Sequence, residues 1–320
     1  MNVRWCLAIC IAAAVPAMAQ GQSFPTKSIR LIVPAAPGGT ADLSARILAQ
    51  KLPDTLGQSV VVENRAGAGG IIGSETLVKS PPDGHTLVLG NIGPNAINYS
   101  LYSKLPYEAK DFAPVALVLS VPNVLVVPVG LPVQSVAQLV AMAKAKPGQV
   151  AFASSGTGQS IHLSGELFKL STGLDIVHVP YKGAGPAVAD LVAGQVAMMF
   201  DNIPSSMPHI RSGKLRPLAV TSSARLEQMP EVPTMIEAGY PGFVVTAWFG
   251  VLAPAKTPDA VVNRLNAEIV RVYTQPDVRE RLHGLAATAS NMSPSQFGDF
   301  IRAETDKWAK VVKSANLKAE

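Results

Sequence analysis

In the stretch VPAAPGGTADLSARILAQ, residues 33–50, an apolar strand runs through Pro-Gly-Gly directly into an amphipathic helix. Gly38 and Gly39 allow the backbone to turn without a Cβ clash. Thr40 is predicted to be the N-cap of the helix, with Asp42 in its first turn. The first amides of such a helix have no intrahelical acceptor and lie at the positive end of the helix dipole, so the turn favours an anion.

Strands and helices alternate along the chain outward from this stretch. Residues 60–62 and 86–89 are predicted as strands, with a helix that ends at Lys79 between them. A glycine-rich turn and a Pro-Pro-Asp-Gly turn separate these elements. Alternation at this spacing predicts an α/β fold with a parallel sheet that helices cover on both faces.

Two further apolar segments indicate crossings between two α/β lobes. PVALVLSVPNVLVVPVG, residues 114–130, contains two strand-like runs punctuated by Pro122 and Pro128. GYPGFVVTAWFGVLAPAKTP, residues 239–258, is interpreted as the return crossing. An inserted lobe creates a ligand cleft between the lobes. The predicted boundaries are 20–124 and 246–320 for lobe 1, and 125–245 for lobe 2.

A second glycine turn, ASSGTGQSIH at residues 153–162, has the same design as the first and adds several hydroxyl groups. Facing each other across a cleft, the two turns would form a cradle for a carboxylate. Neither turn contains Lys or Arg, so the donors would be neutral, with ordered water between them and the ligand. Two alternatives stay open: such turns are also ordinary punctuation in α/β folds, and His162 either donates to a ligand or caps its helix.

Polar residues at strand ends complete the candidate site. Asn91 and Asp201 each end an apolar strand, at the carboxyl edge where open α/β sheets bind ligands. Asp201 is predicted either to contact a ligand or to be the N-cap of the next helix, while Trp248 and Phe249 are expected to pack in the core. The candidate ligand-binding residues are Ala36, Gly38, Gly39, Thr40, Asp42, Asn91, Ser154, Ser155, Gly156, Thr157, Gly158, Gln159, Ser160, His162 and Asp201.

The loop ENRAGAGGIIG, residues 63–73, has a glycine spacing that faintly resembles dinucleotide-binding turns. No acidic residue stands at the end of the following strand to bind a ribose. We therefore expect this loop to form part of the cleft wall, and no cofactor is predicted.

Composition and residue spacing argue against several other functions. Hydrophobic residues make up 48% of the chain and charged residues 15%, and the 27 Lys and Arg are scattered among 22 Asp and Glu, so no basic stripe suits a nucleic acid. The histidines lack metal-ligand spacing. Ser160 stands in GQSIH, without the second glycine of a nucleophile elbow. We expect a binding protein with no metal, and a secreted hydrolase that uses Ser160 is the enzymatic alternative.

The N-terminus MNVRWCLAICIAAAVPAMAQG combines an early arginine, a short apolar run and an A-x-A signal that ends at Ala19. Residues 1–19 are predicted to be a signal peptide cleaved after Ala19, which implies the periplasm. A membrane anchor, or a lipoprotein cleaved before Cys10, is the alternative. Both cysteines, Cys6 and Cys10, lie in this segment, so the mature chain has no thiol chemistry.

Five stretches in order along the chain carry a family resemblance: IVPAAPGGTADLSARILAQKL, VVVENRAGAGGIIG, FASSGTGQSIHLSGELFK, VPYKGAGPAVADLVAGQVAMMFDN and AWFGVLAPAKTP. Together they resemble the extracytoplasmic solute-binding receptors of tripartite tricarboxylate transporters, the Bug receptors. The resemblance implies a type II periplasmic binding protein fold, whose two α/β lobes close on a ligand. It also implies that loops 37–42 and 154–160 hold a ligand carboxylate, partly through water.

The resemblance further implies what the protein binds and with what it works. Such receptors capture di- or tricarboxylates, acidic amino acids or aromatic acids, and deliver them to a membrane permease driven by an ion gradient. We expect this chain to act as a monomer. A receptor of the same fold that serves a sensor kinase is the alternative. Ala35, Ala36 and Gln159 depart from the family pattern at positions where the distal end of the ligand is expected.

Overall fold

The computed structural model describes residues 24–319. The strands are β1 Ile29–Val33, β2 Val60–Asn64, β3 Thr86–Asn91, β4 Phe112–Pro128, β5 Val150–Ser154, β6 Ile176–Pro180, β7 Met198–Asn202, β8 Leu215–Val220, β9 Thr246–Pro254 and β10 Thr288–Ala289. The helices are α1 Thr40–Lys51, α2 Pro53–Leu56, α3 Ile71–Val78, α4 Asn98–Leu101, α5 Val136–Ala145, α6 Ser160–Thr172, α7 Ala184–Val192, α8 Ile203–Arg211, α9 Asp259–Tyr273, α10 Pro276–His283 and α11 Pro294–Ser314. The predicted signal peptide, with its two cysteines, lies outside the described residues.

The first sheet has the order β2-β1-β3-β9-β4, and β10 also pairs with β4. β1 pairs in parallel with both β2 and β3. β9 is antiparallel to β3 and to β4. The predicted parallel sheet is confirmed for β1, β2 and β3, the strands from which it was inferred. The crossing strands β9 and β4 extend this sheet in antiparallel fashion.

β4 connects the two sheets as one continuous strand of 17 residues. The prediction of two runs separated at Pro122 is wrong, because Pro122 still pairs with Thr246 of β9 while the next residue begins a new partnership. From Asn123 onward β4 pairs with β7, and from Val124 with β8. At this point β4 leaves the first sheet and joins the second. The predicted lobe boundaries themselves stay a prediction.

The second sheet contains β5 between β6 and β7, all three parallel, followed by the second half of β4 and β8. The C-terminal helices pack against lobe 1, as the sequence predicts. Asn266 of α9 donates to the carbonyl oxygen of Val115 at 2.8 Å, and the Tyr273 hydroxyl donates to that of Ser44 at 3.0 Å. Among the described helices, none is both long and apolar enough to cross a membrane.

Candidate functional site

The turn before α1 ends one residue earlier than predicted. Gly39, with φ −88° and ψ 173°, is the N-cap, and Thr40 is the first helical residue. The prediction that Thr40 is the N-cap is wrong, because Gly38 at φ +89° completes the turn and leaves Gly39 extended. The hydroxyl of Thr40 is consequently not used for capping. It is buried and has no hydrogen-bond partner among the described residues.

The turn before α6 repeats this geometry in lobe 2. Gln159, with φ −83° and ψ 160°, is the N-cap, Gly158 has φ +83°, and Ser160 is the first helical residue. Leu163 N–H donates to the carbonyl oxygen of Gln159 at 3.0 Å, just as Leu43 N–H donates to that of Gly39. The first amides of both helices therefore remain without an intrahelical acceptor.

A cavity lies between these two turns, at the carboxyl ends of strands from both sheets. Its volume is about 30 Å³, which is room for a few non-hydrogen atoms such as those of a carboxylate. The residues that line it are Pro34, Ala35, Gly39, Thr40, Ala41, Asn91, Ile92, Ser155, Gln159, Ser160, Ala184, Asn202, Ala247 and Phe249.

Within residues 24–319, four helices begin at residues that line this cavity. Thr40 and Ser160 open α1 and α6, Ala184 opens α7, and Asn202 is the N-cap of α8. Each helix N-terminus carries a partial positive charge of about half an elementary charge at most. None of the described residues that line the cavity is Asp, Glu, Lys, Arg or His. The site can therefore hold an anion through backbone amides and neutral side chains, without a cationic side chain.

The predicted candidates divide into two groups. One group lines the cavity: Gly39, Thr40, Asn91, Ser155, Gln159 and Ser160. The other group belongs to the same turns and strand ends but lies outside the lining: Ala36, Gly38, Asp42, Ser154, Gly156, Thr157, Gly158, His162 and Asp201. Several members of the second group form hydrogen bonds that hold the turns in shape.

Asp42 and His162 each accept a hydrogen bond from a backbone N–H of one glycine turn and so hold that turn in shape. Asp42 accepts from Gly38 N–H at 3.1 Å, and His162 Nδ1 accepts from Gly158 N–H at 3.2 Å. Asp42 also accepts from Arg46 Nε and from Asn64 Nδ2. Burial would raise the pKa of Asp42, but these hydrogen bonds together hold it below its ordinary value. Asp42 is therefore an ionised support of the loop rather than a wall of the cavity.

His162 is buried, and its ring packs against the half-buried ring of His178. Its ring lies 4.2 Å from that of His178, and His178 Nε2 is 2.7 Å from the hydroxyl of Ser154. Burial, followed by the charge of Lys169, lowers the pKa of His178 to about 4. Burial, with smaller contributions from His178 and Lys169, lowers the pKa of His162 to about 3. Both rings are neutral near pH 7, and His162 makes no hydrogen bond to Ser160 in the part of the chain described.

Asp201 is fully buried, and the hydroxyls of Ser205 and Ser206 donate to its carboxylate. Burial is the main cause that raises its pKa to about 6. Its neighbour Asn202 lines the cavity instead and donates to Asn123 Oδ1 at 2.7 Å. The prediction that Asp201 is the N-cap of α8 is wrong, because Asn202 occupies that position; ligand contact by Asp201 stays a prediction.

Sequence reasoning missed several lining residues. Asn202 is the last residue of β7, and Ala184 opens the helix that follows β6, so a strand-end signal is present for both. Phe249 was expected in the core, and it is indeed 5% exposed, but it also contacts the cavity. Within residues 24–319, no group of three or more His, Asp or Glu is placed to hold a metal ion.

Comparison with known proteins identifies the family. A model of the tripartite tricarboxylate transporter family receptor matches residues 44–317. The chain belongs to this receptor family. BugT of Bordetella pertussis is 44% identical over 308 residues, which cover 96% of this chain and 94% of BugT. The family resemblance is thus confirmed.

Solved structures of receptors confirm the fold. The Rpa4515 protein of R. palustris, solved with adipate, superposes with a TM-score of 0.89 at 38% identity, over 92% of this chain and 99% of that one. MatC from Rhodopseudomonas palustris, solved with bound malate, gives 0.87 at 35% identity, over 90% and 100%. The receptor has the type II periplasmic binding protein fold, with two α/β lobes and a cleft between them. Its family is one of transporter receptors.

Proposed function

We propose that this receptor captures a small carboxylate in the cavity and delivers it to the permease of a tripartite tricarboxylate transporter, without catalysing a reaction. The observation that carries the proposal is the meeting of four helix N-termini at a cavity whose described lining has no charged side chain. An ionised carboxylate accepts hydrogen bonds from such amides and gains from all four dipoles.

The absence of a cationic side chain from the described lining suits reversible capture. Neutral donors still form charge-assisted hydrogen bonds with an ionised carboxylate, but the ligand lacks the added Coulomb attraction of a buried Arg or Lys cation. Here the donors are amides and the hydroxyls of Thr40, Ser155 and Ser160, with the amides of Asn91 and Asn202 beside them. Such a site binds the ligand through donors that both lobes position around it, and it releases the ligand when the lobes separate.

The proposed ligand class is a short aliphatic di- or tricarboxylate. Two solved relatives contain malate and adipate. The closed cavity has room for a carboxylate and little more, so the rest of a ligand lies along the cleft or requires a slightly wider closure. Acidic amino acids and aromatic acids belong to the same proposal because they present the same carboxylate.

The candidate residues take two proposed roles. Gly39, Thr40, Asn91, Ser155, Gln159 and Ser160 contact the ligand or its waters, and Asn202 joins them. Ala36, Gly38, Asp42, Ser154, Gly156, Thr157, Gly158, His162 and Asp201 shape the turns that present those contacts.

The receptor is proposed to reach the periplasm through cleavage after Ala19 and to act there as a monomer. The apolar run and A-x-A signal of residues 1–19 support this route. Mass spectrometry of protein from a periplasmic extract is expected to give a mature chain that begins at Gln20. A chain that retains residues 1–19 would contradict the proposed cleavage.

The test is calorimetric titration of the protein from Gln20 onward, unfolded and refolded first to remove carried-over ligand. Malate and adipate are the probes, and their diamides are the matched controls. At least one acid is expected to bind and its diamide is not, because only the acid carries the charge that the helix termini favour. Equal binding of acid and diamide, or no binding of any acid by refolded protein, would contradict the proposal.

A further inference from the structure

The side chain of Gln159 crosses from lobe 2 to lobe 1. Its backbone is the N-cap of α6 in lobe 2. Its amide nitrogen donates to the carbonyl oxygen of Gly69, in the lobe 1 loop between β2 and α3, at 2.6 Å. The same residue lines the cavity and is 9% exposed. One side chain therefore forms both a part of the cavity wall and a hydrogen bond between the lobes.

Three glycines of lobe 1 form a slot that receives this amide: Gly69, Gly70 and Gly93. A Cβ on Gly93 would lie 2.6 Å from Gln159 Nε2, and a Cβ on Gly70 would lie 3.4 Å from the same atom. Gly69 has φ +59°, and a Cβ there would lie 2.2 Å from the carbonyl oxygen of Thr157 in lobe 2. These three glycines therefore leave the space that the Gln159 amide and the Thr157 carbonyl occupy when the two lobes are in contact.

A second contact between the lobes lies at the other turn. The N–H of Ala36 donates to the carbonyl oxygen of Lys182 at 2.8 Å. Gly183, at φ +151°, permits this approach, since a Cβ there would lie 2.7 Å from Ala36 N. This contact is made by backbone atoms, and neither Ala36 nor Lys182 lines the cavity. Gln159 is therefore the member of the pair that can sense the ligand.

We propose that Gln159 is a specificity-determining residue whose amide enters the glycine slot only when the bound acid leaves that end of the cavity free. The inference rests on the proposed function, because it concerns the ligand of the same cavity. Because the closed cavity has room for little more than a carboxylate, a longer acid competes with the amide for space more than a shorter one does. A six-carbon acid is therefore expected to cost the complex its hydrogen bond to Gly69 more often than a four-carbon acid.

Closure can be tested without any ligand. In the pair Gly39→Cys and Ala184→Cys, a Cβ at residue 39 would lie 3.1 Å from the Cβ of residue 184, close to the spacing that a disulfide requires. The chain from Gln20 onward has no other cysteine. Under oxidised glutathione, the rate of disulfide formation reports how often the cleft closes. Adding Gln159→Ala is expected to slow this rate about three- to tenfold, the effect of losing one hydrogen bond. An unchanged rate would show that the hydrogen bond from Gln159 to Gly69 does not hold the lobes together.

Specificity is tested by titrating malate and adipate into the native protein and into Gln159→Ala. Malate is expected to lose affinity about three- to tenfold, while adipate loses less or gains, so the preference for malate falls. An unchanged ratio of the two affinities would overturn the specificity role. If neither acid binds the native protein, the proposed function and the specificity role both fail, whereas the trapping rate still decides whether Gln159 holds the lobes together.

A matched pair of glycine variants tests the slot itself. Gly93→Ala, with Gln159 intact, places a methyl group 2.6 Å from the amide nitrogen, too close for both to keep their positions, and is expected to slow trapping as Gln159→Ala does. Gly130→Ala is the control, because a Cβ there meets no atom within 4 Å. It is expected to trap at the native rate. Trapping at the native rate in Gly93→Ala would overturn the slot as the partner of Gln159.

Discussion

Asp42 and His162 occupy equivalent positions in the two lobes. Each is the third residue of its helix, and each accepts a hydrogen bond from the backbone N–H of the glycine four residues before it, Gly38 or Gly158. The surrounding sequences, ADLS and IHLS, share the same spacing. One support is an ionised carboxylate and the other a neutral imidazole, so the lobes achieve one turn geometry with different electrostatics.

The support that His162 gives to its turn should be necessary for ligand affinity. In His162→Leu the N–H of Gly158 loses its acceptor, and we expect the affinity for the bound acid to fall about tenfold, close to the cost of one unsatisfied buried donor. In His162→Asn a short side chain can accept in the way Asp42 does, and most of the affinity is expected to return. Calorimetry with malate or adipate measures both variants. Native affinity in His162→Leu would show that the turn needs no such support.

The neutral histidine cluster should make the protein unstable in acid. The unfolded chain binds protons at the ordinary histidine pKa of 6.5, whereas the folded pKa values of His162 and His178 are about 3 and about 4. The unfolded state therefore binds more protons across this window, so stability is full above about pH 6.5 and is lost as the pH falls. At pH 4.5 the loss should be about 2 kcal/mol per histidine.

Urea denaturation at several pH values measures this effect, and His178→Asn is the comparison. Asn keeps a polar partner for the Ser154 hydroxyl but does not titrate. The variant is expected to lose less free energy of unfolding than the native protein between pH 6.5 and pH 4.5. Parallel pH profiles for the two proteins would show that His178 titrates normally in the folded state.

The sequence predicted the recognised turns well because their signals are local. Glycines after an apolar strand and before a helical pattern identified the starts of α1 and α6. The starts of α7 and α8 follow strands in the same way, but their convergence on the cavity depends on strand order. That order pairs residues far apart in the chain, such as Asn123 and Asn202, and no local pattern specifies it.

Errors of a single residue also had physical causes. Gly39 adopts the extended conformation of an N-cap, so Thr40 lies inside the helix. Successive residues of a strand point to opposite faces, so Asn202 reaches the cavity while Asp201 is turned towards Ser205. A pattern read from one sequence locates a strand end but does not determine which of two adjacent side chains faces the ligand.

The titration of Asp201 should change the free energy of unfolding in the direction opposite to that of the histidines, over the same pH range. Its folded pKa of about 6 lies above its ordinary value of 3.8, so the folded state binds the extra proton. The stability from this proton is present below about pH 3.8 and is lost as the pH rises towards 6. Asp201→Asn abolishes the titration. Between pH 4 and pH 6.5 the native protein should therefore lose about 2 to 3 kcal/mol of unfolding free energy relative to the variant. A constant difference would contradict a raised pKa.

The unpartnered hydroxyl of Thr40 should donate a hydrogen bond to the bound acid. Thr40 Oγ1 is buried at the cavity wall and has no hydrogen-bond partner among the described residues, which costs stability unless a ligand or water accepts the bond. Thr40→Val keeps the shape of the side chain and removes the hydroxyl. We expect the affinity for the bound acid to fall about tenfold or more, since bonds to a charged acceptor are worth about 1.5 to 3 kcal/mol.

The melting temperature of ligand-free protein separates this role from a structural one. It should stay unchanged or rise in Thr40→Val, because the variant buries a methyl group in place of an unsatisfied hydroxyl. Thr305→Val in α11 is the matched control: its hydroxyl donates to the carbonyl oxygen of Ile301 far along the chain from the cavity turns, and affinity should not change. Equal affinities in native protein and Thr40→Val would show that the acid makes no hydrogen bond to Thr40. A lower melting temperature in Thr40→Val would instead assign its hydroxyl to the fold.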